Sequence, residues 1–317
     1  MKFFSEDFDL FNDANRLQME VEESLELVFD DEPLERILYG KKLKGPTRAN
    51  LFFPALGWVQ KIRRAFKDGD IRAAVKNASE LAVKEYSIST QMCFELSLIM
   101  RGIVPDYPNP IIEIDLSPLG PLLEQMWNLA LRSEGRELQK TVGAPLYRWY
   151  EHHQQYENAR RVLTTLIEIA KEDEDRIGEA VVINNFAFEY LLEGRPEGAI
   201  SFFEKAAKIF EDNEIIFEYA NARANYWTCR FECDDLEEDQ KIEAELKSLA
   251  KTLGKKADWR TRKPLILLAR IEERRGNISA AVQLVERAIK ACKNGKTRYP
   301  ELDRKYLEHL KCKVTRL

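Results

Sequence analysis

The sequence predicts an all-α fold: an α-solenoid of stacked antiparallel helix hairpins. Three observations lead there. The heptapeptide "GDIRAAV" from Gly69 returns as "GNISAAV" from Gly276. Around both, the chain follows one skeleton of an apolar stretch, a short break, and a second stretch with alanine near its start. Finally, 32% of the residues are charged while Gly and Pro number only 14 and 12 of 317, a balance that suits helices with solvated faces better than a β fold.

Four segments share the skeleton. They are "WVQKIRRAFKDGDIRAAVKNASELA" from Trp58, "GAPLYRWYEHHQQYENARRVLTTLI" from Gly143, "INNFAFEYLLEGRPEGAISFFEKAA" from Ile183 and "LILLARIEERRGNISAAVQLVERAI" from Leu265. Gly69, Gly194 and Gly276 fall where the first helix stops, and glycine takes the left-handed cap without a Cβ penalty. Asp70 and Asn277 follow and are placed to cap the next helix through a side-chain oxygen. In the third copy Pro196 opens the second helix instead, where its missing N–H costs nothing. Ala74, Ala159, Ala199 and Ala281 then let the paired helices approach, and Ala206 and Ala288 continue that seam one heptad on.

This pattern resembles the tetratricopeptide repeat (TPR) family. The third copy places Ile183, Phe186, Ala187, Tyr190, Gly194, Ala199, Phe203 and Ala206 in the family's positions, and the last copy places Leu265, Leu268, Ala269, Gly276, Ala281, Val285 and Ala288. The family's closing proline is absent after the second helix. The step is also longer than the family's usual 34 residues, with 40 from Ala159 to Ala199 and 82, about two steps, from Ala199 to Ala281. Such steps resemble the long-repeat TPR variants of bacterial regulators. The resemblance implies a right-handed superhelix of about six hairpins, whose first helices (A) line a concave groove and whose second helices (B) lie behind them.

The long gaps should hide degenerate copies. "IIFEYANARANYWTCRFE" and "LEEDQKIEAELKSLAKTLG" supply helices A and B of one, and "ISTQMCFELSLIMRG" and "LGPLLEQMWNLALRSEG" the helices of another. Pro105, Pro108, Pro110 and Pro118 exclude a helix between that second pair, where "IIEID" reads as an ordered loop or a short strand. The expected organisation is an acidic N-terminal cap or arm (1–50), hairpins with a Pro-rich insertion at 104–121 (51–140), further repeats (141–295) and a C-terminal capping helix (296–317). In that last helix Tyr306, Leu307 and Leu310 are expected to face the repeats, and Lys305, Lys311, Lys313 and Arg316 to face water.

Charge is polarised along the chain. Residues 255–317 hold 18 Lys/Arg and 7 Asp/Glu, a net of +11, so the total of −5 leaves −16 on residues 1–254. The first 36 residues alone hold 12 acids against Lys2, Arg16 and Arg36. No apolar run approaches the roughly 18 residues of a membrane span, and "MKFFSEDFDLF" does not read as a signal peptide. Five scattered cysteines suggest a reduced, cytoplasmic setting.

Nothing in the sequence carries a specific chemistry, so no enzyme, cofactor or metal is expected. Phosphate-loop, dinucleotide-loop and HExxH patterns are missing. Cys229 and Cys233 share a helix face, and are read as thiols in a helix seam rather than half a zinc site.

Carried over by position, the groove of the resembled family would show Val59, Arg63 and Lys67, then Arg148 and His152, then Asn184, Phe188 and Leu191, and finally Lys263, Arg270 and Arg274. These are the candidate partner-binding residues. Their charge suits an acidic segment of a protein partner, with Phe188 in an apolar floor. An adaptor or regulatory subunit is therefore the first expectation. A second is an accessory subunit holding RNA or DNA backbone through the basic C-terminal repeats. A third is self-association, the acidic N-terminus of one copy meeting the basic C-terminus of another.

Overall fold

The computed structural model describes residues 54–84, 86, 88–104, 114–133, 135–233, 239–254, 259–293 and 300–314. The expectations placed on residues 1–50, on the first three residues of "IIEID" (111–113) and on Arg316 lie outside them. The described residues form thirteen α-helices and two 3-10 turns, with no strand among them. No described helix is long and apolar enough to cross a membrane. They fall into two compact units, one reaching Val162 and the other starting at Leu163.

The first unit holds α1 (Pro54–Lys67), α2 (Ile71–Val83), α3 (Thr90–Ile103), a 3-10 turn (Ser117–Leu119), α4 (Gly120–Arg132), α5 (Arg136–His152) and the start of α6 (Tyr156–Glu172). As expected, Asp70 caps α2, its Oδ1 accepting the Ala73 N–H at 2.9 Å. Ser89 caps α3 in the same way, through the Met92 N–H. Ile62, Ala74, Leu81, Leu96 and Met100 are buried between these helices. Val59 is 0% exposed and belongs to the same core, which corrects its placement in a groove: an apolar side chain one turn before Ile62 is on the inward stripe of α1. Gly120 lies against Trp149, where a Cβ would come 2.4 Å from the ring. Trp149 in turn donates its indole N–H to the Leu116 carbonyl at 2.7 Å, so one side chain fixes the entry to α4.

The second unit continues with α7 (Arg176–Leu192), α8 (Pro196–Asp212), α9 (Ile216–Glu232), α10 (Asp239–Gly254), a 3-10 turn (Trp259–Thr261), α11 (Arg262–Arg274), α12 (Ile278–Lys293) and α13 (Pro300–Val314). Each helix packs on the next, and α7, α9 and α11 also touch in a row of first helices. The helices expected of the degenerate copy are α9 and α10. The seam alanines Ala199, Ala206, Ala281 and Ala288 are all buried, and with them Phe203 and Val285. Tyr190 rests on Gly198, where a Cβ would come 2.8 Å from its ring. Leu310 closes the last hairpin with Tyr306 and Leu307.

The corners repeat more often than the glycines do. Gly69, Gly194 and Gly276 have φ of +73°, +76° and +81°, and Gln154, Glu174 and Glu214 occupy the same left-handed region at +56°, +56° and +60°. Every one of the six makes the same pair of hydrogen bonds. At Gly194 its N–H reaches Leu191 O at 3.2 Å and the Arg195 N–H reaches Tyr190 O at 2.9 Å. The helices α5 to α9 are seventeen residues each, joined by three-residue links, giving a 20-residue helix period. At the Gly276 corner the expected cap differs. The Asn277 carbonyl accepts from Ala280 and Ala281, while its side-chain amide turns back to donate to Glu272 at 2.8 Å.

Candidate partner-binding face

The candidate residues divide between the two units. In the first, Arg63 approaches Glu95, Nε to Oε1 at 3.4 Å. Burial pushes the Glu95 carboxyl above its ordinary range, and Arg63 opposes that rise. Lys67 is exposed at the end of α1, while Arg148 and His152 are half-buried on α5. The neighbouring His153 caps α5 and stacks on Trp149 at 4.1 Å. Its Nδ1 is 2.7 Å from the Trp149 carbonyl and its Nε2 3.0 Å from Ser117 Oγ. A carbonyl only accepts, so Nδ1 carries the hydrogen and, in the neutral ring, Ser117 donates to Nε2. An open groove of about 550 Å³ lies along α4 in this unit, lined by Ile88, Glu124, Met126, Leu129 and Arg132 among others.

The second unit draws its candidates together. Lys263 on α11 places Nζ 2.8 Å from Asn221 Oδ1 and 2.9 Å from Asn225 Oδ1, both on α9. Asn225 donates its amide to Asn184 Oδ1 on α7 at 3.3 Å. Phe188, one turn from Asn184, offers its ring 5.8 Å from the same ammonium. A lysine, three asparagines and an aromatic ring therefore link three successive first helices. Asn225 is nearly buried at 3% exposure, while Asn184, Asn221, Phe188 and Lys263 are half-buried on the row. Asn184 and Asn221 are joined through their oxygens, and each retains an NH₂ group with two donors.

Around this cluster the cations have counter-charges. Arg270 pairs with Glu232 and Arg260 with Glu218. Arg270 and Arg274 also cover the Phe231 ring, at 4.5 and 3.7 Å from its centroid. Beyond the row, Arg223 grips Glu245 with two hydrogen bonds of 2.6 and 2.8 Å. Toward the C-terminus Arg262 holds Asp303 through two bonds of 2.5 Å, and Lys311 lies 3.0 Å from Glu286. Glu273 accepts from Lys313 at 2.5 Å and from the Tyr306 hydroxyl at 2.7 Å. Burial alone would raise the Glu273 carboxyl, but these two donors outweigh it and hold it below its ordinary range. Lys313, expected to face water, is thus part of the docking of α13. Of the two helix thiols, Cys229 is fully buried, its pKa pushed up to about 12 by that burial, and Cys233 is half-buried at the end of α9.

Asn225 and the partner acids Glu95, Glu218 and Glu232 were not among the sequence candidates. Asn225 did leave a signal, since it stands 41 residues after Asn184, one repeat step on the same helix face.

No family model matches the chain, and no curated protein matches it in sequence. Among solved structures, a Rap protein complexed with competence and sporulation factor is 16% identical, covering 99% of this chain and 90% of its own, with a TM-score of 0.44. The apo form of RapI is 14% identical over 76% of this chain and 100% of its own, with a TM-score of 0.41. At TM-scores under 0.5 neither likeness bears on what this chain binds.

Proposed function

We propose that this chain is a TPR-like binding scaffold, an adaptor or regulatory subunit, which holds an acidic segment of a partner protein along the row of α7, α9 and α11. The observation that carries the reading is the cluster of Lys263, Asn184, Asn221, Asn225 and Phe188. Amide donors on two helices, an ammonium between them and a ring beside it are suited to a strand of peptide bearing carboxylates: the NH₂ groups of Asn184 and Asn221 take backbone carbonyls, and Lys263 with Arg274 takes the acids. The counter-charges Glu218 and Glu232 sit at the flanks, so that a fully basic groove is not required; the anion is drawn to the centre of the row.

An array of acidic, neutral and basic peptides probed with the full chain tests this. Acidic peptides are expected to bind, and Lys263→Glu with Arg274→Glu to weaken them at least about tenfold, the loss of one or two charge-assisted contacts. Equal binding of all three peptide classes, or acidic binding untouched by the two reversals, overturns the reading. A low-salt mobility shift with duplex DNA and RNA in place of peptide binding would favour the nucleic-acid expectation instead.

A further inference from the structure

A second groove, of about 510 Å³, runs between α10 and α12 on the side of the second helices, away from the residues discussed above. Leu265 and Leu268 of α11, Ala250 of α10 and Leu284 of α12 form its apolar floor. Its two ends differ in charge. At one, Arg275 ties Glu243 (2.8 Å) to Glu272 (3.0 Å) and Lys247 also pairs with Glu243, so two acids and two bases cancel. At the other, Lys251 of α10 and Arg287 of α12 stand exposed on opposite walls. The volume falls within the roughly 300–1,000 Å³ of binding pockets, and an apolar floor under a cationic mouth fits an apolar stripe flanked by acids.

The chain itself carries such a stripe. Leu17, Val21, Leu25 and Val28 are spaced four, four and three apart, the interval of one helix face, within "LQMEVEESLELVF". From Leu17 to Glu35 there are eight acidic residues and no Lys or Arg. We propose that this groove receives residues 17–29 of a second copy of the chain, with Lys251 and Arg287 on the opposite walls meeting Glu20 and Glu22, which at about 100° per residue flank the apolar stripe on its two sides. Those residues lie outside the described ones; charge complementarity and the matched apolar spacing name them as the occupant. Exchange in both directions fills two grooves with two segments and closes a two-fold dimer, leaving no end open for further addition. The charge polarity of the sequence, −16 on residues 1–254 against +11 on 255–317, then acts between copies.

Sedimentation of the full chain at about 0.03 M and about 0.5 M salt brackets the ~10 Å screening length reached near 0.1 M. A dimer is expected at low salt, weakening at least about tenfold at high salt. Lys251→Glu with Arg287→Glu should weaken it by a similar factor at low salt, and should leave the thermal midpoint unchanged at high salt, where the dimer no longer contributes and both side chains are exposed. Adding Glu20→Lys with Glu22→Lys to that variant should restore the dimer. A photo-crosslinking phenylalanine in place of the exposed Gln283, in a mixture of isotope-heavy and light chains, should join heavy to light through the tryptic peptide between Arg16 and Arg36. A chain that stays monomeric at low salt, a dimer indifferent to the reversals at Lys251 and Arg287, or a crosslink confined to one copy or made to any other peptide would overturn the proposal.

Discussion

Two neighbouring hairpins in the second unit reach the same architecture by different means. In α7–α8 the link is a three-residue corner on Gly194, and the seam is aromatic. Phe186 meets Phe202 edge-on at 4.9 Å, Tyr190 stacks on Phe202 at 6.1 Å, and Phe203 is fully buried. In α9–α10 that corner motif is missing from the sequence. The seam is an aliphatic stripe of Ile242, Leu246, Leu249 and Leu253, joined to α9 through the Arg223–Glu245 fork. Local turn chemistry and close packing specify the first pair, whereas a long-range charge pair fixes the register of the second. The groove proposed to accept a second copy opens beside α10, the helix secured by the less local device.

The largest test of that contrast is Phe203→Ala, which should cost about 3–5 kcal/mol in denaturant unfolding because the seam of α7–α8 cannot collapse around the void. Arg223→Ala should cost less, about 2 kcal/mol, between the values for exposed and fully buried pairs. A double-mutant cycle with Glu245→Gln assigns that loss to the pair. If Arg223→Ala cost as much as Phe203→Ala, charge rather than packing would dominate both hairpins. The smallest effects belong to the corners. Glu214→Gly should gain about 0.5–1 kcal/mol by removing a Cβ from left-handed backbone, and Gly194→Ala should lose about 1 kcal/mol, though nothing lies within 4 Å of the added methyl.

These corners also show how far the sequence could be read. Glycine marks three of six, two of them in the heptapeptide, because it is the visible sign of a positive φ; Gln154, Glu174 and Glu214 adopt the same backbone with a side chain and leave no such sign. The hairpins themselves, including α9 and α10, follow from apolar periodicity and small seam residues, which are local properties. The polar row on α7, α9 and α11 was partly legible. Asn184, Phe188 and Lys263 come together as neighbours on helix faces one or two repeats apart, as a stacked-hairpin reading implies. Their surroundings were not legible, since Glu95, Glu218 and Glu232 meet their arginines across 32, 42 and 38 residues, a distance at which no local pattern pairs charges. Val59 was misplaced for a related reason: a position carried over from a family pattern says which helix face is general, while the buried stripe of a particular helix is set by what packs on it.

The ties along the row fall at nearly one interval: Asn184 to Asn225 is 41 residues, Asn221 to Lys263 is 42 and Arg262 to Asp303 is 41. That interval fixes which changes of length the chain can inherit. Duplicating or deleting one whole helix pair keeps the faces of all later helices in the same rotational register. A gain or loss of one or two residues inside a helix turns everything beyond it by about 100° per residue and separates every tie downstream. Chains of this type should therefore differ from one another in steps of about forty residues, or within the links, and seldom inside the helices.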